Sequence, residues 1–166
     1  NIRVVGEDRE TTIIDGNQNG PVITLETEDF NYVSVIKNFT IYNGSGNDAL
    51  SNRMEGGGGV YVRSDNYTTS VIIDNCIISG NDLNGSGKGS AVFFDIGSYG
   101  VIRNSIIKEN IDASEGVIFS WGDYFIENTR RVCGDLPYDL AESVYQTCKW
   151  LYKNKEIKHT PNKIKD

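Results

Sequence analysis

Five stretches of the chain repeat one pattern of apolar and polar positions: Ile13-Ile14-Asp15-Gly16, Val35-Ile36-Lys37-Asn38, Ile72-Ile73-Asp74-Asn75, Val101-Ile102-Arg103-Asn104 and Phe125-Ile126-Glu127-Asn128. Each has two apolar residues, one charged residue, and then glycine or asparagine. The two closing residue types share one property: both enter the left-handed backbone region at small cost, so a strand can turn sharply within one residue. The repeat predicts a stack of like corners at Gly16, Asn38, Asn75, Asn104 and Asn128. Beyond the corner, the three middle copies resume an apolar run, Phe39 to Ile41, Cys76 to Ile78 and Ser105 to Ile107, ending near Asn43, Asn81 and Asn110. Stacked asparagines can exchange amide hydrogen bonds along the stack, which satisfies polar groups that would otherwise be buried unpaired.

A second apolar column precedes the first: Val22-Ile23-Thr24-Leu25, Val60-Tyr61-Val62-Arg63, Val92-Phe93-Phe94-Asp95 and Val117-Ile118-Phe119-Ser120. Two strand columns and one repeated corner make a coil. Corner-to-corner spacings of 22, 37, 29 and 24 residues are too irregular for a propeller and suit a solenoid whose coils carry insertions at one edge. The extra residues, Gly44 to Gly58 and Asp82 to Ser90, are rich in Gly, Ser and Asn and fall at one place in the coil, so two loops should project side by side. A β-sandwich would need alternating strands joined by hairpins, whereas Val71-Ile72-Ile73 and Cys76-Ile77-Ile78 are continuously apolar and repeat in register.

Composition agrees with this pattern. The 166 residues fit one domain, and an apolar fraction of 38% is low for a two-layer globule but sufficient for a narrow columnar core. Eighteen glycines against three prolines point to many tight turns between short strands.

Phrases such as Thr12-Ile13-Ile14-Asp15-Gly16-Asn17, Asn38-Phe39-Thr40-Ile41-Tyr42-Asn43-Gly44, Gly57-Gly58-Gly59-Val60-Tyr61 and Asn75-Cys76-Ile77-Ile78-Ser79-Gly80-Asn81 resemble the right-handed parallel β-helix repeat proteins of the pectate-lyase-like superfamily. The resemblance covers about residues 1 to 130. It implies a fold and not a substrate, because that superfamily includes polysaccharide lyases and hydrolases, adhesins, phage tailspikes and surface proteins of no known activity. The expected fold class is all-β: a right-handed parallel β-helix of about four to five coils over residues 1–132, closed by a short C-terminal helical cap and a basic tail over 133–166. The cap follows from Leu140, Val144, Cys148 and Leu151 at helical spacing behind Pro137, since a solenoid end exposes apolar surface and unpaired edges. A partner-binding amphipathic helix is the alternative for that segment.

Candidate chemistry is sparse. If Val22, Val60, Val92 and Val117 point inward, then Ile23, Tyr61, Phe93 and Ile118 form an outward stripe, because alternate strand residues face opposite sides. With Tyr61, Phe93, Arg63 and Asp95 on it, such a stripe could stack on sugar rings. Two plainer readings stand beside it: the C-terminal segment covers the stripe, or the in-out phase is wrong by one residue. Glycoside hydrolysis needs paired carboxylates, and the resemblance to calcium-assisted lyases adds Asp clusters with a basic proton acceptor. The candidates are Asp74, Asp95 and Asp123 with Arg63 and Arg103. They form no recognisable signature, and Lys37, Asp74, Arg103 and Glu127 read as an ion-pair ladder along one exposed face. Calcium is the one cofactor to consider.

The sole histidine, His159, lies in the lysine-rich tail, which removes His-based nucleophilic catalysis and most zinc sites. Gly56 to Gly59 lacks the Lys-Ser/Thr of a phosphate loop and reads as a turn feeding a strand. Sequons at Asn38, Asn43, Asn66 and Asn84 are near chance for this composition. Cys76 lies in a strand-like run, while Cys133 and Cys148 form a disulfide or remain free thiols.

A net charge of −7 argues against a nucleic-acid surface. The locally basic run Lys149, Lys153, Lys155, Lys158, Lys163 and Lys165 is read as a solvated tail. No apolar stretch approaches the ~18 residues of a membrane span, and Ile2 to Val5 already reads as strand, so the expected start lies where a signal peptide or preceding domain was removed. The favoured function is a non-catalytic, secreted or cell-surface module that binds carbohydrate or a partner protein. A truncated polysaccharide lyase or glycosidase, and a structural segment of a larger surface protein or viral spike, are the alternatives. The open first coil could stack on a preceding β-helix segment or on another copy.

Overall fold

A computed structural model of the chain describes residues 2–26, 32–46, 56–63, 69–84, 87–111, 116–121, 123–127 and 129–132. All regular structure among them is strand, and the strands come in threes. The first coil has β1 (Arg3–Val5), β2 (Ile13–Asp15) and β3 (Ile23–Glu26), and the second β4 (Tyr32–Lys37), β5 (Thr40–Tyr42) and β6 (Val60–Arg63). The third has β7 (Thr69–Asp74), β8 (Ile77–Ser79) and β9 (Val92–Phe94), and the fourth β10 (Ser98–Arg103), β11 (Ile106–Lys108) and β12 (Ile118–Ser120). A fifth begins with β13 (Asp123–Glu127) and β14 (Arg130–Val132).

First strands stack in sheet A in the order β1-β4-β7-β10-β13, second strands in sheet B, third strands in sheet C, and every pairing is parallel. Each coil thus has three strands where the repeat suggested two, and the chain advances one rung per coil as a solenoid of parallel sheets. The expected helical cap, the basic tail, His159, Cys133 and Cys148 lie outside the described residues, as does Asn128.

The corner column needs one correction. Asn38, Asn75 and Asn104 all close sheet A strands at positive φ (61°, 53° and 53°). Gly16 is not among them: it follows β2, whose Ile13, Ile14 and Asp15 pair with Thr40, Ile41 and Tyr42 in sheet B. The first rung of the Asn38 column is Gly6, after Arg3-Val4-Val5. Gly16 belongs in register to a second corner, where Asn43 (62°), Gly80 (61°) and Glu109 (55°) turn left-handed and Gly16 itself does not. Both strand types end in apolar residues, a polar one and a turn former, so the linear pattern cannot tell the two corners apart.

Side chains bridge these corners. Asn75 Nδ2 donates to Asn38 Oδ1 at 2.9 Å and Asn38 Nδ2 to Gly6 O at 3.1 Å. Behind the second corner the fully buried Asn81 donates from Nδ2 to Asn110 Oδ1 at 2.7 Å and accepts from Gly44 N at 2.8 Å. A buried amide is costly unless its donors and acceptors are met, and stacking identical turns meets them repeatedly.

Inside, Ile36, Ile73 and Ile102 from sheet A, Ile41, Ile78 and Ile107 from sheet B, and Val60, Val62, Val92 and Phe94 from sheet C form one column. Burying each of these side chains stabilises the fold by roughly 1.5–3 kcal/mol before entropy is counted. Gly100 faces the same interior, and a Cβ there would run into the Phe94 ring that crosses from sheet C. Cys76 packs in this column as a small hydrophobe, and burial pushes its thiol pKa up, which keeps it unreactive. The column frays at its first coil, where Val4 is 45% exposed and Ile14, Ile23 and Leu25 are only half-buried.

The bases of the two insertions do stack. Asp82 N donates to Gly44 O, and Gly57 N to Lys88 O, each at 2.9 Å. The loops between, 47–55 and 85–86, lie outside the described residues. A third irregular stretch runs along the corner column. Thr40 Oγ1, in the second coil, donates to Arg9 O at 2.6 Å, and Arg9 Nη1 reaches Asn104 O in the fourth coil at 3.2 Å.

Candidate functional site

The four residues expected on a binding stripe all lie on the outer side of sheet C, but not as an exposed stripe. Pairing fixes the phase: Val60 stacks on Ile23 and Val92, while Tyr61 stacks on Thr24 and Phe93, and Phe93 on Phe119. Ile23 and Ile118 therefore point inward, and the outward row reads Thr24, Tyr61, Phe93, Phe119. Shifting the first and last copies by one residue corrects the sequence alignment of this column.

Tyr61 and Phe93 are 1% and 0% exposed, which overturns the expectation that they present an open surface. Their rings sit 5.5 Å apart, and the backbone at Gly56 and Gly57 passes close to both side chains. Gly57 has φ +69°, and a Cβ on it would approach Tyr61 Cβ to 2.7 Å; one on Gly56 would approach Phe93 Cδ1 to 2.7 Å. Only glycine lets the chain lie this close. The glycine run thus packs close to two aromatic side chains as well as leading into β6.

The row opens at the fourth coil. Phe119 lies 5.6 Å from Phe93, edge to face, and Trp121 lies 6.1 Å from Phe119 at 64°. Phe119 is half-buried and Trp121 is 42% exposed. The Lys88 ammonium stands 4.6 Å from the Phe119 centroid and 5.1 Å from that of Trp121, within cation–π range of both. Beside this row runs a polar one. Glu26 pairs in register with Arg63, and their side chains approach to 3.9 Å. Asp95 N donates to Val62 O and Trp121 N to Phe94 O, which carries the same row on through Asp95 to Trp121. Tyr61 Oη donates to Asp95 Oδ2 at 2.8 Å, and Ile96 N to Oδ1 at 2.7 Å.

Sequence reasoning missed Phe119, Trp121 and Lys88. The signal for Phe119 was present: aligning Ile118 rather than Val117 with Val92 puts it on the outward row. Trp121 then follows two positions on, on the same side.

Asp74 and Asp95 do not converge. Asp74 and Arg103 stand on the outer face of sheet A, Asp95 on sheet C, and Asp123 opens β13 opposite Tyr99, four positions or about 13 Å along the strand from the Arg103 rung. Asp74 is held in place: Lys37 Nζ donates to Oδ2 at 3.0 Å, Arg103 Nη2 to the same oxygen at 3.3 Å, and Asn104 Nδ2 to Oδ1 at 3.0 Å. Burial alone would raise its pKa, but the hydrogen bonds from Asn104, Lys37 and Arg103, with the Arg103 charge, outweigh it and hold the group at about 2. An acid so deeply ionised is a poor proton donor or acceptor at neutral pH. Among the described residues, no three His, Cys, Asp or Glu side chains group as a metal ion would require.

Compared with known proteins, the chain matches no family model, no curated protein and no solved structure.

Proposed function

We propose that this chain is a non-catalytic binding module, secreted or displayed at a cell surface, that takes carbohydrate on the outer face of sheet C. One observation carries the reading: beside Phe119, the last described rung of the aromatic row, a half-exposed Trp121 is set edge-on, with Asp95 and Lys88 next to it. A sugar buries a C–H face on an indole ring and directs its hydroxyls to charged neighbours at the rim. The parallel coil order supports a right-handed, pectate-lyase-like winding, since parallel crossovers are right-handed in nearly all proteins. The scattered carboxylates favour binding over lyase or hydrolase chemistry.

The test is a binding screen of the purified chain against a broad polysaccharide panel, with product analysis on the same samples. Binding without cleavage, lost in Trp121→Ala, is the expected result. Release of unsaturated or reducing sugars would replace this reading with an enzymatic one. Silence throughout would leave a second reading, a structural segment of a larger stack. That alternative is favoured by the first coil, whose β1, β2 and β3 are unpaired on one side among the described residues and frame the exposed Val4.

A further inference from the structure

We propose that residues 6–12 form a strap that fastens the first coil to the fourth, so that the open end of the solenoid unfolds together with its middle and not before it. Coils in a stack touch only their neighbours, which makes an end coil the first to open. The first coil has the marks of such an end. Among the described residues, β1, β2 and β3 each have a partner strand on one side only. Val4, stacked on Ile36, is 45% exposed, and Ile14, Ile23 and Leu25 are half-buried, whereas the residues that continue the column in the second coil, Ile36, Ile41, Val60 and Val62, are buried.

Residues 6–12 work against that fraying. Asp8 builds their turn: its Oδ1 accepts from Glu10 N at 2.7 Å and its carbonyl from Thr12 N at 2.7 Å, while Asp8 N donates to Thr12 Oγ1 at 3.3 Å. Such local side-chain bonds fix a loop without help from strand pairing. The turn presents Arg9, which is held at two points. Its carbonyl accepts from Thr40 Oγ1 of the second coil at 2.6 Å, and its Nη1 donates to the Asn104 carbonyl of the fourth at 3.2 Å. Second to fourth is two rungs, about 10 Å, so the side chain crosses the third coil. There Ile77 alternates with the inward Ile78 and faces outward, yet it is only 6% exposed, an apolar residue along which an arginine stem can lie. One residue of the first coil thus reaches two coils further than strand pairing takes it. A bond that skips coils ties their opening together, which neighbour contacts alone do not.

The experiment is native-state hydrogen exchange of the whole chain, read at amides far from the strap. Gly16 N and Ile23 N tie the first coil to the second, through Tyr42 O and Gly59 O, while Ile77 N and Ile106 N, bonded to Phe39 O and Cys76 O, report the third and fourth coils. In the parent chain, protection of the first pair should lie within about tenfold of the second, and a wider gap overturns the proposal. Arg9→Ala should speed exchange at Gly16 and Ile23 by about fivefold or more, with less than about a twofold change at Ile77 and Ile106. Thr40→Val removes the other anchor without touching a charge; it should move the same two amides in the same direction, and it carries the comparison where Arg9→Ala does not fold. Arg3→Ala removes an exposed cation from the same coil and should change nothing. Exchange at Gly16 and Ile23 that is unmoved by either strap variant, or that rises as much in Arg3→Ala, overturns the proposal.

Discussion

On the outer face of sheet A, Lys37, Asp74 and Arg103 stack rung on rung; on the outer face of sheet C, Tyr61, Phe93 and Phe119 do the same. Both faces put like positions of successive coils about 4.8 Å apart, and both could be mistaken for binding surfaces. On sheet A the stack closes on itself, because charges of alternating sign satisfy one another and Asp74 has donors on both oxygens. On sheet C the rings satisfy one another only through three coils. The fourth has no further rung of this row among the described residues, and its indole reaches solvent. Repetition that closes on itself makes structure; the proposed binding surface lies where, among the described residues, the repetition stops.

Four measurements would break or sharpen that contrast. The largest effect is expected at Phe93, which is outward-facing yet fully buried: Phe93→Ala should destabilise by about 3–5 kcal/mol in urea unfolding, as a core residue does. A cost below about 1 kcal/mol would mean that the packing around Phe93 opens readily and that the row is accessible after all. Next, Asp74→Ala should cost about 2–3 kcal/mol. That is less than for a wholly buried pair, because Lys37 and Arg103 are 35% and 42% exposed and can rehydrate. Asp95→Ala would remove the acceptor of the Tyr61 hydroxyl and of Ile96 N and should cost less.

The third prediction concerns pH. The Asp74 carboxyl is held at about 2, below its ordinary value of 3.8, so the unfolded chain takes up its proton first on acidification. Its stabilisation is fully present above about pH 5 and is lost as pH falls from about 4 to about 2, by roughly 2 kcal/mol. In Asp74→Asn this part of the acid slope should vanish, and an unchanged slope would assign the acid sensitivity to other groups. The smallest effect on stability is expected at Trp121, where alanine should cost less than about 1 kcal/mol while abolishing glycan binding. A large stability loss there would make Trp121 one more rung of a closed stack.

How much of this could be read along the chain depended on which residues repeat. The αL corners at Asn38, Asn75 and Asn104 were legible because only a few residue types tolerate that backbone. So was the ladder register of Lys37, Asp74 and Arg103, since it lies one position before each corner and inherits the same marker. Sheet B was missed as a separate sheet, and Gly16 was put in the wrong column, because Ile13-Ile14-Asp15-Gly16 fits either corner. The sheet C column slipped by one residue at both ends, where Val22-Ile23 and Val117-Ile118 offer two apolar residues in a row and so no alternation to read. That single slip hid Phe119 and, with it, Trp121.

By itself the sequence determined the class of fold: apolar runs closed by Asn or Gly at recurring corners can bury themselves only by stacking strand on strand. It also determined the register of the Lys37, Asp74 and Arg103 ladder, because each rung there repeats the asparagine corner that follows it. Tertiary structure alone decided exposure. Whether an outward aromatic ring meets water depends on what the chain does many residues away. Here Gly56 and Gly57, having no side chain to hold the backbone off, pack close to Phe93 and Tyr61, which are buried, while Trp121 is 42% exposed.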